Sequence, residues 1–550
     1  VGSARALAGD DTDREIHCHF NIAKRMQHCA MARVNRRKLL SNGLMVAGAA
    51  VLGPWPRRVL AQMRLTRDPF TLGVASGYPT PEGFVLWTRL APEPLAPDGG
   101  MPPAAMPVTW EIARDDQFRG VVRSGTAYAE PDWAHSVHVE VADLEPAREY
   151  WYRFTAGDVR SPAGRTWTAP KNDARLERMR INLASCQQYE HGYYTAYRQM
   201  LTDHPDLIVH VGDYIYELTW GTDRVRSHGA GECYTPSDYR VRHALYRSDP
   251  DLQAAHALCP WLLMWDDHEV DNDYAGAVSE EDEDPTLFLG RRAAAYRAYY
   301  EHMPLPRRAV PFGAEMRLYD SCRFANLLSM HLLDEREYRS PHACPPGDRA
   351  GSSRVTPEAC PALLDEKRTM LGERQEKWLT GQLRASKTTW NFLAQGVVMA
   401  HENEEKSPAQ RFWTDSWNGY PAARTRLMRQ LHDNKVSNPI VLSGDIHAFV
   451  VSDLHLDPAN PDTPRVAGEL VGTSITSQPP SESLLRRYRD YNPATFLATG
   501  DARGYIRIDI DKSALRADLI AMDTVRERTS NSRVMASFAA EAGEAGLKRA

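Results

Sequence analysis

Four apolar runs in this 550-residue chain stop abruptly at an acid. Leu207 to Val211 ends in Gly212-Asp213, Trp261 to Trp265 in Asp266-Asp267, Leu327 to Leu333 in Asp334, and Ile440 to Ser443 in Gly444-Asp445. Short continuous apolar runs bounded by turn residues read as strands buried on both faces. One such ending means little, because Asp is common wherever a chain turns. Four in one domain are a constraint, since strand carboxyl ends in open α/β sheets border the crevice where ligands bind. Crowding that many carboxylates is unfavourable unless cations neutralise them. The pattern predicts a metal cluster on a layered α/β domain.

The surrounding texture sets the domain limits. Between Thr71 and Ala169 short segments of alternating polarity, such as Gly83–Arg89, Val108–Ala113, His135–Val141 and Glu149–Phe154, are separated by turns. That predicts a small all-β antiparallel sandwich over residues 67–170. Pro170 to Ala174 reads as a linker. From 175 to 530 strand-like runs alternate with helical patterns at Tyr193–Thr202, Arg291–His302, Glu373–Arg384 and Ala422–His432, the signature of an α/β domain. Gly504–Ile510 and Leu515–Met522 read as a closing hairpin, and residues 531–550 as a frayed tail. The acidic run Glu280 to Asp284 reads as a solvated loop. Trp413, Trp417 and Tyr420 read as an aromatic cluster under a loop rather than a substrate mouth.

A formal net charge of −6 spread over 25% charged residues gives no global field towards nucleic acid or an anionic membrane. No GxSxG elbow, P-loop or Rossmann fingerprint is present. Asn35-Arg36-Arg37-Lys38 precedes a short apolar run, Leu44 to Leu52, and Val59-Leu60-Ala61. This reads as a twin-arginine signal peptide over residues 31–61, with residues 1–30 an upstream extension, Met31 the start and a mature chain from about Gln62. The run is too short to form a stable membrane span. The expectation is export of the folded protein by the twin-arginine machinery to the periplasm or beyond. Disulfides are permitted there, and Cys344 and Cys360, flanking a Pro/Gly/Ser-rich loop, are the candidate pair.

The residues beside the strand-end acids carry the finer reading. Gly212-Asp213-Tyr214-Ile215-Tyr216 places a carboxylate and a phenol three apart. Asp266-Asp267-His268-Glu269 couples carboxylates to an imidazole, and Gly444-Asp445-Ile446-His447 sets Asp and His two apart. The ordered set resembles the calcineurin-like metallophosphoesterases, whose blocks run GDxxY, GNHE and GHxH. Here Asp267 replaces the asparagine of the second block and Asp445 the first histidine of the third. Carboxylates in place of nitrogen ligands favour a hard, oxygen-loving cation, calcium better than zinc. Ser185-Cys186-Gln187 stands at the end of the first strand, where the superfamily carries DxH. With the segments Gly73–Leu90, Val211–Glu217, Trp265–Asn272, Asp334–Ser340 and Leu442–His447, the mature chain resembles the PhoD family of alkaline phosphatases.

That resemblance implies a metallophosphoesterase domain behind a fibronectin-like sandwich, twin-arginine export, and an iron–calcium site. Carried over, Cys186, Asp213, Tyr216 and His447 would hold Fe³⁺. Asp213 would bridge to Ca²⁺, held also by Asp267, Asn272 and Asp445, with the choice within Val270-Asp-Asn-Asp273 open. His268 would face the phosphoryl oxygen or leaving group, and Arg336 would clamp phosphate through its planar fork. The expected reaction is hydrolysis of phosphate monoesters by metal-activated water. Phosphodiesterase or phospholipase D-like activity at the same site is the alternative, and a secreted binding protein with structural metals the more distant one.

Overall fold

The computed structural model describes residues 67–550. The twin-arginine segment, Met31 and the cleavage region before Gln62 lie outside the described residues. Alternating polarity between Thr71 and Ala169 produces strands. These are β1 (Val74–Thr80), β2 (Gly83–Arg89), β3 (Met106–Ala113), β4 (Val121–Ala129), β5 (Ser136–Val141), β6 (Arg148–Ala156), β7 (Val159–Arg160) and β8 (Gly164–Thr168). β3, β4, β6, β7 and β8 form one sheet. They share a core with β1, β2 and β5 that includes Leu86, Ile112, Val137, Tyr152 and Phe154.

The α/β region begins with β9 (Arg178–Ala184), α1 (Thr195–Asp203), β10 (Leu207–Val211), α2 (Pro236–Arg247), α3 (Pro250–Leu258), β11 (Trp261–Met264) and α4 (Pro285–His302). It continues with β12 (Asp320–Phe324), β13 (Leu328–Leu332), β14 (Arg354–Val355), α5 (Gly372–Ala385), β15 (Trp390–Ala394), β16 (Phe412–Trp413), α6 (Pro421–Asp433) and β17 (Pro439–Ser443). Last come β18 (Phe449–His455), β19 (Arg465–Val471), α7 (Glu482–Tyr491), β20 (Thr495–Thr499), β21 (Gly504–Asp511), β22 (Ala514–Met522), β23 (Ser532–Glu541) and β24 (Lys548–Arg549).

Two large sheets result. The first runs β24-β23-β22-β21-β9-β10-β11-β1-β2-β5, the second β12-β13-β15-β17-β19-β18-β20. β9, β10 and β11 are parallel neighbours, as are β13, β15 and β17. One continuous core joins the sheets. Ile181, Leu183, Val209 and Ile508 of the first belong to it together with Met330, Phe392, Ile440 and Leu442 of the second. The alternate residues Leu393 and Val441 join a separate core with Leu379 and Leu383 of α5 and Leu427 and Met428 of α6. Strands buried on both faces explain the continuous apolar runs. Among the described residues no helix is long and apolar enough to cross a membrane.

The structure departs from the sequence reading in three places. The sandwich is not a free-standing unit: β1 pairs in parallel with β11 through Gly77 and Trp261, so β1, β2 and β5 extend the large sheet. Alternation reveals a strand and its buried face, but not which edge it pairs with. The acidic run is more than a solvated loop, since Asp284 caps α4 by accepting the Thr286 N–H (2.8 Å) and Glu280 borders the central cleft. The final twenty residues are not a frayed tail. β23 pairs along the whole of β22, and Phe538, Ala540 and Leu547 enter the main core. Small and charged residues, Arg533, Ser537, Ala539 and Glu541, interrupt its apolar pattern, which masked the strand in the sequence. Replacing Phe538 with alanine is expected to cost about 3–5 kcal/mol in urea unfolding, whereas a frayed tail would leave the midpoint unchanged.

Candidate metal centre

The carboxyl ends of β10, β11 and β17 open on one cleft of about 450 Å³, and Cys186, after β9, lies buried beside Asp213. Its lining includes Asp213, Asp267, His268, Asn272, Asp445 and His447. The chain turns sharply at these ends. Cys186, Asp213, Asp445 and His447 have φ of +57°, +58°, +62° and +56°, in the left-handed region that non-glycine residues seldom enter. Such strain, about 1–3 kcal/mol at each residue, persists where surrounding structure over-determines it. Gly212 makes the first turn possible: at its φ of +106° a Cβ would lie 2.6 Å from the backbone nitrogen of Asp266.

Glu269 locks two of these turns together. Its carboxylate accepts the backbone N–H groups of Asp213 (3.2 Å), Tyr214 (2.6 Å) and Asp266 (2.9 Å). Cys186 N–H donates to the Gly212 carbonyl at 3.1 Å, which ties the β9 turn to the β10 turn.

Around Asp213 the side chains converge. One donor atom each from Cys186, Asp213 and His447 lies within 4.8 Å of the others, and the same holds for Asp213, Asp267 and His268. The Tyr216 hydroxyl donates to Asp213 Oδ2 at 2.7 Å and lies 3.0 Å from His447 Nε2. His447 Nδ1 donates to the Gln478 carbonyl (2.9 Å), which fixes the tautomer that leaves Nε2 as an acceptor. Burial, reinforced by Arg503, holds His447 neutral, with its pKa down to about 3. Ser477 Oγ contacts both the Tyr216 hydroxyl and the Cys186 carbonyl at 2.8 Å. His268 is oriented from behind, its Nδ1 2.7 Å from Glu217 Oε2. Burial opposes charge on His268, but Glu217, Asp267 and Asp213 outweigh it and raise its pKa.

These donors fit cations. Asp213 Oδ1 and Asp445 Oδ2 are buried with no hydrogen-bond partner among the described residues, a costly state for a carboxylate oxygen unless something else satisfies it. Burial pushes Asp213 up to about 7 and Asp445 well above the carboxylate range. Burial beside Asp213 also pushes Cys186 and Tyr216 well up. Anionic ligands in this pocket therefore need positive charge beside them. Thiol, phenol, imidazole and carboxylate meet at one end of the cluster. At the other, the Asp267 and Asp445 carboxylates stand with His268, and Asn272 borders the cleft while its amide donates to Glu280 at 2.9 Å.

Arg336 is not placed to clamp a phosphate. The guanidinium is fully buried and spent on protein carboxylates: Nε donates to Asp266 (2.5 Å), and Nη1 and Nη2 fork onto Asp415 (2.7 and 2.8 Å). Asp267 lies 3.5 Å away. Asp334 likewise misses the cleft, its Oδ1 accepting the backbone N–H groups of Arg336 (2.9 Å) and Glu337 (3.0 Å) as an Asx turn. Trp413 lines the cleft, whereas Trp417 and Tyr420 are buried in the second core. Cys344 and Cys360 are disulfide-bonded.

The residues the sequence reading did not single out are the supports. Glu217 and Glu269 adjoin motif residues, and their positions in GDYIYE and DDHE were the available signal. Asp273 donates its N–H to Asp267 Oδ2 at 2.8 Å. Asp415 and Ser477 lie on distant loops with no local signature. If Arg336 is a buried counter-charge, Arg336→Met should destabilise the fold by about 3–5 kcal/mol in denaturant titration, because Asp266 and Asp415 lose their partner. A residue serving only to bind substrate would leave stability within about 0.5 kcal/mol.

Comparison with known proteins agrees along the chain. Residues 181–519 match the PhoD-like phosphatase family, and residues 56–170 match the PhoD-like phosphatase, N-terminal domain. Alkaline phosphatase D of Bacillus subtilis (strain 168) is 42% identical over 534 residues, covering 94% of this chain and 89% of its own. A solved structure of PhoD aligns with a TM-score of 0.84 at 43% identity, over 88% of this chain and 93% of that one. With the cleft, its strand-end acids and both regions matched in order, the chain belongs to the PhoD-like phosphatase family.

Proposed function

We propose that this protein is an exported alkaline phosphatase that hydrolyses phosphate monoesters at an iron–calcium centre. The observation that carries the reading is the convergence of Cys186, Tyr216 and His447 on Asp213, whose Oδ1 is buried without a partner among the described residues. Cys186, Asp213, Tyr216 and His447 would hold Fe³⁺, and Asp213, Asp267, Asn272 and Asp445 would hold Ca²⁺. When bound, the two metals supply the Lewis acidity that activates water and polarises a phosphoryl group.

The chain's own side chains supply the rest. Glu217 fixes His268 so that Nδ1 is engaged and Nε2 is left for the cleft. A phosphoryl oxygen or leaving-group oxygen there would receive a charge-assisted hydrogen bond, strongest where negative charge develops. Arg336 contributes at a distance, holding Asp266 and Asp267 in place as their counter-charge. The twin-arginine motif Arg36-Arg37 supports export of the folded, metal-loaded protein to the periplasm or beyond.

A second reading, hydrolysis of phosphodiesters, is favoured by one feature. The cleft is larger than an inorganic phosphate requires, and Leu218, Trp220, Trp413 and Tyr488 give it an apolar wall suited to a second ester group. Turnover of 4-nitrophenyl phosphate and bis(4-nitrophenyl) phosphate by the metal-loaded enzyme separates the two. The monoesterase reading expects the higher kcat/KM for the monoester. A diester rate far above it would reverse the order, and turnover of neither would refute both.

The ligand assignment has its own test. Cys186→Ser is expected to keep the fold, lose most of its iron by elemental analysis and shift the visible charge-transfer band. Unchanged iron content and colour would remove Cys186 from the centre.

A further inference from the structure

The cleft is strongly acidic. Asp213, Asp267, Asp273, Glu280 and Asp445 line it, and Arg354 is the one Lys or Arg among its lining residues. Arg354 is held from one side only. Its Nε donates to both oxygens of Glu404, at 2.9 and 3.0 Å, and Glu404 is itself buried. Neither Nη1 nor Nη2 has a hydrogen-bond partner among the described residues, and the side chain is 43% exposed. A guanidinium fixed through Nε with its two terminal amines free is a preorganised receptor for an anionic group, because little rotamer freedom remains to be lost on binding.

The platform under Arg354 is rigid. β14 pairs with β16, setting Arg354 opposite Trp413. Ser353 and Thr414 exchange hydrogen bonds at 2.9 Å, from Ser353 N–H to Thr414 Oγ1 and from Thr414 N–H to the Ser353 carbonyl. The Cys344–Cys360 disulfide closes the loop that carries this ladder. Ser352 Oγ accepts from Trp413 Nε1 (2.8 Å) and donates to Asp273 Oδ2, whose own N–H reaches Asp267. The ladder is thus registered on the metal cluster yet remains separate from the strand ends that compose it.

We propose that Arg354 is a specificity-determining residue that binds a second anionic group, carried on the alcohol portion of the ester. The inference rests on the phosphoesterase reading and names the substrate class for it: phosphate esters with a further anion remote from the scissile phosphoryl group. The cleft of about 450 Å³ has the size of an organic ligand site rather than a phosphate site. Trp413 and Tyr488, which line it together with Arg354, offer faces and edges against which the intervening carbon skeleton packs. In a cleft this acidic, the second anion would be repelled except at the metals, at His268, which the scissile phosphoryl group engages, and at Arg354.

The test compares phenyl phosphate with 4-carboxyphenyl phosphate, using metal-loaded wild type, Arg354→Met, Arg354→Lys and Glu404→Gln. Wild type should favour the carboxylated ester. In Arg354→Met the ratio of kcat/KM values, carboxylated over plain, should fall about tenfold, chiefly through KM. Arg354→Lys should recover part of the ratio, and Glu404→Gln, which keeps the charge but loosens its anchor, should fall between. An unchanged ratio in Arg354→Met overturns the proposal, as does an equal loss on both esters, which would place Arg354 on the scissile phosphoryl group or in the scaffold. Turnover of neither ester by wild type would sink the phosphoesterase reading and this proposal with it.

Discussion

Asp213, Asp266, Asp267, Asp415 and Asp445 are crowded into one region at the top of two packed sheets, and that crowding shapes everything around it. Like charges out of water repel strongly, and desolvation alone favours protonating them. The protein answers in two ways. Arg336 takes Asp266 and Asp415 into hydrogen-bonded pairs and leans on Asp267. Asp213 and Asp445, like Asp266, each keep a buried oxygen without a hydrogen-bond partner among the described residues. Arg336 thus neutralises part of the cluster, and the unpaired oxygens of Asp213 and Asp445, both of which line the cleft, are the ones proposed to meet cations.

Holding the second group in place requires unfavourable backbone. Four of the proposed ligands sit in left-handed conformations, and the compensation comes from the pair of sheets beneath them. Glu269 fastens the turns after β10 and β11, and the Cys186 N–H fastens β9 to them. The cost of a strained turn is distributed over a core shared by both sheets, which is why the ligands can come from strand ends far apart in sequence.

The sequence revealed the floor of the site and little of its walls. Strands buried on both faces announce themselves as unbroken apolar runs, so Asp213, Asp267 and Asp445 were legible as strand-end acids. Asp334 showed the same local pattern and proved to be an Asx cap, because a strand ending in Asp does not say which way its side chain turns. Arg336 looked like a phosphate clamp because it follows an acid at a strand end. Its role depends on Asp415, seventy-nine residues away, and no local pattern could disclose that partner. β23 was missed because small and charged residues break up its apolar pattern, and the joining of β1 to β11 because pairing is decided between segments and not within them. α2 and α3 were not among the helices read from the sequence, although Pro236 and Pro250 stand in their first turns, a position suited to Pro.

The most direct test of the central claim is a crystal structure of the native protein with anomalous diffraction recorded on both sides of the iron absorption edge. The account predicts an iron peak bounded by Cys186 Sγ, an Asp213 oxygen, the Tyr216 hydroxyl and His447 Nε2, with a second cation against Asp267 and Asp445. Water alone at the unpartnered Asp213 oxygen, with no iron-edge signal there, would contradict it.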